Sequence, residues 1–297
     1  MNDIKHTSAH PLFNGVTNAT KLKLFALILM TLDHLGAYGF ELPIIRNNVD
    51  NLRLIGRMAA PLFLFFVVES LKHTRKRRQF LLRLYLAGAI TGCCNMIVSA
   101  WLNNRVLFGN IYQSYVWLVI VALLLDFAIS HFRKKNYRKA VAILVGGVIA
   151  IHAIHLWDSF LRDYSIISIL TGIDISWCRI IHRVSSWFIY SPRYVEYSVL
   201  YILLGIIWYY QKKKLHHCVT LVLFCILAFS GIGNGIPQFS FITGNQWAMI
   251  GAIIPILLYN GQYGPGNKYF FYIYYPAHCY LIAIAQCCYI GAFASYG

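Results

Sequence analysis

Blocks of apolar residues about twenty long, separated by short polar or basic stretches, run through most of this chain. Runs of about 18 or more apolar residues with few charges read as membrane-crossing helices. Composition agrees, because 59% of the residues are hydrophobic and only 12% charged, too few to cover a soluble protein of 297 residues. The pattern predicts an all-α, polytopic transmembrane bundle with spans at 22–40, 52–72, 80–101, 112–132, 139–157, 193–211, 215–232, 245–260 and 269–294. The stretch 158–192 mixes Asp158, Arg162, Asp163, Asp174, Arg179, His182 and Arg183 with apolar residues. It reads as interfacial or re-entrant structure, and would raise the count to ten if it held a further short helix. Residues 1–20 read as a short cytoplasmic tail and 21–297 as the transmembrane domain. No internal repeat is visible.

The basic residues orient the bundle. Lys72, Arg75, Lys76, Arg77, Arg78 and Arg83 follow the second span. Arg133, Lys134, Lys135, Arg138 and Lys139 follow the fourth, Lys212–Lys214 the sixth, and Lys268 precedes the ninth. All fall on one side, which the positive-inside rule makes cytoplasmic. The N-terminus is then inside and the C-terminus outside. The Asn18-Ala19-Thr20 sequon falls in the cytoplasm and is discounted. Topology also accounts for the formal charge of +16, so nucleic acid is not an expected partner. The eight cysteines form no Cys-x-x-Cys, and no metal is expected; they read as small residues in helix interfaces.

Ionisable groups at membrane depth are costly and mark functional sites. Asp33 and His34 lie about twelve residues into the first span, roughly 18 Å deep. Arg57, about five residues from the outer end of the second span, and His278, about nine residues into the ninth, reach the same layer. Adjacent helical residues point about 100° apart, so Asp33 should face Arg57 while His34 faces a cavity or His278. A packing ion pair with histidines as polar glue would use the same residues. Pro61 removes the amide that would bond the Arg57 carbonyl, which predicts a kink there. Glu69 and His73 share a face at the cytoplasmic end. His152-x-x-His155-x-x-Asp158 has a spacing that metal ligands use, but the chain offers nothing further to complete a site. Phe270, Phe271, Tyr272, Tyr274 and Tyr275 suit the inner interface.

Leu32-Asp33-His34, Gly56-Arg57-Met58-Ala59-Ala60-Pro61-Leu62-Phe63, His73-Thr74-Arg75 and Tyr269 through His278 together resemble the TraX family, with Gly109-Asn110 a further matching position. The resemblance runs from about residue 21 to 282. It implies a bacterial inner-membrane protein, linked through the family's prototype to N-terminal acetylation of conjugative pilin, and similar to multi-pass acyltransferases that use acyl-CoA. The implied partners are membrane lipid, acetyl-CoA and a pilin or other envelope acceptor.

Moving an acetyl group from a thioester to an amine needs a base for the amine proton and a donor for the oxyanion. His34 or His278 can be the base, and Arg57 or the second histidine the donor, with Asp33 as partner. His73, Thr74, Arg75, Arg78, Arg83 and Asn110 are the candidate coenzyme A contacts, although topology and anionic lipid explain the same basic cluster. A proton-coupled transporter or channel built on Asp33, His34, Arg57 and His278 is the competing reading, and a non-enzymatic pilus or envelope assembly factor the third. The topology is testable with reporter fusions. A C-terminal fusion should be active only with a periplasmic reporter, and activity only with a cytoplasmic one would refute the odd span count.

Overall fold

The computed structural model describes residues 15–102, 108–191, 195–230, 244–266 and 268–294. Most of the predicted tail, residues 1–14, lies outside them. Regular structure among the described residues is helical, apart from one isolated bridge between Thr17 and Tyr259. The helices are α1 (Ala19–Tyr38), α2 (Pro43–Arg46), α3 (Val49–Gly56), α4 (Ala59–His73), α5 (Arg77–Trp101), α6 (Ile111–Arg133) and α7 (Tyr137–Arg162). They continue with α8 (Tyr164–Thr171), α9 (Ile175–Phe188), α10 (Ser198–Tyr210) and α11 (Lys214–Ser230). A 3-10 segment (Gly244–Ala252), α12 (Ile253–Leu258) and α13 (Lys268–Ala294) complete the order.

Within the described residues the predicted spans fall largely on helix, yet four helical stretches there are both long and apolar enough to cross a membrane: Val49–His73, which takes α3 and α4 together, Arg77–Trp101, Ile111–Arg133 and Tyr137–Arg162. The stretch 158–192 holds two helices, α8 and α9, bent by 115°; counted as one broken span they make five. The expected nine is not reached by this measure, for physical reasons. Lys21, Lys23, Asp33 and His34 dilute the apolarity of α1. The 13 residues of α10 rise about 20 Å, short of a hydrocarbon core of about 30 Å. The block at 245–260 forms a 3-10 segment and only six residues of α-helix. Long apolar helices with outward apolar faces define an integral membrane protein: α7 leaves Val141, Val145, Val148 and Ile149 exposed, as a lipid-facing helix does.

The chain divides into two compact units, one of 1–67, 211–230 and 244–297, the other of 68–210 and 231–243. In the first, Asn18 caps α1 by accepting from the Lys21 amide, so the sequon asparagine is a helix cap. Backbone bonds from Thr17, Ala19 and Thr20 to the 258–263 segment anchor the start of α1. α1 then packs along α3 on one face and α13 on another. The helix expected to kink at Arg57 is interrupted there: α3 ends at Gly56, and Arg57 and Met58 form a turn before α4 within the stretch Val49–His73.

In the second unit α6 is central, packed by α5, α7 and α10. Asp126 near its C-terminal end pairs with Arg77 and accepts from Tyr209 and Tyr210. Asp158 on α7 bonds Arg162 at 3.0 Å and His182 at 3.2 Å. Both of its oxygens are thereby engaged, so the His152–His155–Asp158 spacing does not close into a ligand set.

Gly56 sets the approach of α3 to α1. A Cβ there would collide with the backbone and Cβ of Asp33. Gly56→Ala should therefore force the helices apart and cost about 1–3 kcal/mol, read as a lower melting temperature in detergent. Gly146→Ala, at a position with open space around it, should leave stability unchanged or raise it by up to about 1 kcal/mol. Equal effects at the two positions would remove the close-approach account.

Candidate functional site

α1 carries its polar residues on two faces. Asp33 and Gly36 turn toward α3; Thr31, His34 and Tyr38, spaced at three and four residues, turn toward α13. Asp33, His34, Arg57 and His278 are all buried, at 6–7% exposure. The structure brings all four into one unit.

On the α3 side, Asp33 Oδ1 lies 3.1 Å from Arg57 Nη2, and Oδ2 lies 3.2 Å from Arg53 Nη1. The Asp33–Arg57 pairing expected from matched depth is present. Arg53 was not anticipated, although it stands four residues before Arg57 and so shares its face. Two guanidiniums meet one carboxylate, which leaves one positive charge in surplus at this level of the unit. That surplus is shared between buried Arg57 and partly exposed Arg53, and it suits an anion.

On the α13 side, His34 Nδ1 lies 2.7 Å from His278 Nε2. His278 Nδ1 lies 2.6 Å from the Tyr274 carbonyl. A carbonyl oxygen only accepts, so Nδ1 of His278 carries the proton and its Nε2 is the acceptor. His34 Nδ1 must then donate to it, which leaves His34 Nε2 with the free lone pair. The tautomers follow from the hydrogen-bond network. Tyr274 stacks on His278 at 4.9 Å between centroids, while the His278 and His34 rings lie edge to edge, 21° from parallel, along their hydrogen bond. Tyr274 Oη also bonds Thr31 Oγ1 at 2.8 Å. Cys279 Sγ lies 3.1 Å from His34 Nδ1 and 3.2 Å from the Tyr275 carbonyl, to which it donates.

Tyr274 and Tyr275 thus serve the histidine pair, not only the membrane interface that explains their residue type. The signal was available: Tyr274 precedes His278 by four residues, one turn along the same face. Tyr269 and Phe270 are exposed, as interface aromatics are. Pro276 sits inside α13 and removes the amide that would bond the Tyr272 carbonyl, one turn before the site.

The basic cluster lies in the other unit. His73 bonds the Glu69 carbonyl at 2.8 Å, and Glu69 pairs with Lys72 at 3.2 Å. Arg75 and Arg78 are exposed and Thr74 half-buried. Arg83 holds a buried Nε with no hydrogen-bond acceptor. Asn110 donates to the Gly88 carbonyl at 2.8 Å at the start of α6. Arg77, within the cluster, pairs with Asp126 sixteen residues further along α6, about 24 Å away by helical rise. Asn110 and the arginines therefore cannot hold the same phosphate group. Asn110 buttresses α5 against α6 instead.

Fold and site together define a multi-helix integral membrane protein in which a buried Asp–Arg ion pair lies beside a buried histidine pair. Residues 18–178 match the family model described as TraX protein, and this is more than half of the chain. The protein belongs to the TraX family. Over 290 residues it is 23% identical to a protein of Dichelobacter nodosus named "Probable fimbrial assembly protein FimC, serogroup H1", a match that covers 91% of this chain and 96% of that one. No solved structure matches.

The Asp33–Arg57 pair makes a direct prediction. Asp33→Asn or Arg57→Gln leaves a buried charge without its partner and should cost about 3–5 kcal/mol. Arg53, with a side chain 32% exposed, should contribute about 0.2–1 kcal/mol. A double-mutant cycle on detergent stability should give strong non-additivity for Asp33 with Arg57 and a weaker term with Arg53. Additive Asp33 and Arg57 effects would mean that the pair is not energetically coupled.

Proposed function

We propose that this protein is an inner-membrane acyltransferase that moves an acetyl group from acetyl-CoA to an amine of an envelope acceptor such as a pilin N-terminus. The observation that carries the reading is the oriented histidine pair: His34 presents a free Nε2 lone pair because its Nδ1 is committed to His278. A base oriented by a second group is what acyl transfer needs.

In this mechanism the acceptor amine attacks the thioester carbonyl carbon and gives its proton to His34 Nε2. The Nδ1 proton of His34 moves toward His278 Nε2, whose other nitrogen stays bonded to the Tyr274 carbonyl. The tetrahedral oxyanion is met by the surplus positive charge of the Arg57, Arg53 and Asp33 group. The C–S bond then breaks, and the departing thiolate of coenzyme A takes up the proton. Arg75, Arg78 and Arg83 are the residues we assign to the coenzyme A phosphates, with His73 and Thr74 beside them. Nine crossings, with the N-terminus inside and the C-terminus outside, complete the reading.

The named Dichelobacter relative favours a second reading, in which the chain assists fimbrial assembly without catalysis. One assay separates the two. Purified protein should transfer labelled acetyl from coenzyme A to an acceptor peptide, and His34→Ala should lower the chemical step by roughly 10²–10⁴-fold while the protein stays folded. Near-parental turnover by His34→Ala would remove it as the base. Collapse in His278→Ala alone would pass the role to His278. No transfer by the parent with any envelope acceptor would favour the assembly reading.

A further inference from the structure

Three buried ligand atoms from two helices converge within 4.8 Å of one another: His34 Nδ1, His278 Nε2 and Cys279 Sγ. Their separations are 2.7 Å between the nitrogens, 3.1 Å from Sγ to His34 and 3.7 Å from Sγ to His278. Without an ion, a proton joins the two rings and the thiol donates to the Tyr275 carbonyl; a cation at the centre of the triangle would replace both protons. A tetrahedral zinc site would place such atoms about 3.3 Å apart for two nitrogens and about 3.6 Å for nitrogen and sulfur. The existing triangle reaches that shape by an outward movement of His34 of about half an ångström.

The surroundings are also those of a metal ligand set. The Nδ1–H of His278 donates to the Tyr274 carbonyl, which fixes its tautomer and aims Nε2 at the other two atoms. The thiol of Cys279 donates to the Tyr275 carbonyl in the metal-free site, and this bond is given up when the sulfur loses its proton and coordinates. Two imidazoles and a thiol form a soft N2S set that suits zinc-class ions and excludes magnesium and calcium. Three protein ligands leave a fourth position open. Sequence spacing hides the set, because His34 stands 244 residues from His278.

We propose that His34, His278 and Cys279 form a reversible binding site for a zinc-class divalent ion. On binding, Cys279 releases its thiol proton and coordinates through sulfur, and His34 coordinates through Nδ1 and carries its proton on Nε2. The ion then adds one net positive charge beside the already positive Arg57, Arg53 and Asp33 group, which favours an exchangeable ion over a permanently held one. If His34 Nε2 is the base of acyl transfer, the loaded protein lacks its lone pair, so the ion inhibits; this consequence rests on the proposed function, whereas the binding site does not.

The test uses the full chain in detergent, stripped with a chelator and titrated with Co2+. One equivalent should produce a thiolate-to-cobalt charge-transfer band in the near ultraviolet with tetrahedral visible bands, displaced by Zn2+. Cys279→Ser should lose the charge-transfer band, and Cys178→Ser, at a buried cysteine outside the cluster, should keep it. If Cys279→Ser does not fold, Cys279→Ala carries the same expectation, and His278→Ala should weaken Co2+ binding at least about tenfold. The absence of the band in the parent, or its persistence in the Cys279 variant, overturns the site. Zn2+ should also suppress acetyl transfer by the parent. Cobalt spectra as expected with no transfer by metal-free protein would sink the acyl-transfer reading and leave the site standing.

Discussion

A carboxylate on an apolar helix has to find a cation before that helix can be buried. In α1 the carboxylate is Asp33, and Arg57 answers it at 3.1 Å, with Arg53 closing the second oxygen. The pair only forms if α1 and α3 come close, and Gly56 against the Asp33 backbone is what permits that. Breaking such a pair is expensive because the remaining charge keeps its desolvation cost. The contact therefore fixes the register of the two helices. That register in turn decides where the next residue, His34, must point.

His34 follows from this by helical geometry. One residue on from Asp33, it turns about 100° away from α3 and meets α13. There the Tyr274, His278 and Ile282 positions repeat at four-residue intervals, and Thr31 and Gly39 of the α1 region meet the same helix. The polar and aromatic atoms on this face satisfy one another in a chain: Tyr274 carbonyl, His278, His34. Every proton in that chain has an assigned acceptor, and the chain ends at His34 Nε2, which carries a lone pair.

Both halves of the site can be traced to periodicity, but unequally. The partnership of Asp33 with Arg57 was legible because opposite charges at equal depth in hydrocarbon leave few alternatives. Arg53 was not, because it stands at the very start of the predicted span, where a basic side chain can reach the interface and needs no buried partner. The His34–His278 contact was one of two options, since helix order in a bundle is not written in hydropathy. Tyr274 was explained by the interface and Cys279 by small-residue packing; both explanations describe residue types, which several roles share. Asn110 matched a family position and turned out to buttress α5 against α6.

The sequence by itself determined that this chain is a helical membrane protein, where its helices lie, and that its costly ionisable residues cluster at one depth. Length, apolarity and charge are local properties, and a bilayer acts on them directly. Only the tertiary structure decided which helices touch. It joined His34 to a residue 244 positions away, bent 164–188 into two helices, and broke the 245–260 block into a 3-10 turn and a short helix. The physical reason is that a helix presents several faces of nearly equal apolarity to lipid. Which face is buried, and against what, is chosen by polar groups that find partners and by glycines that let backbones approach.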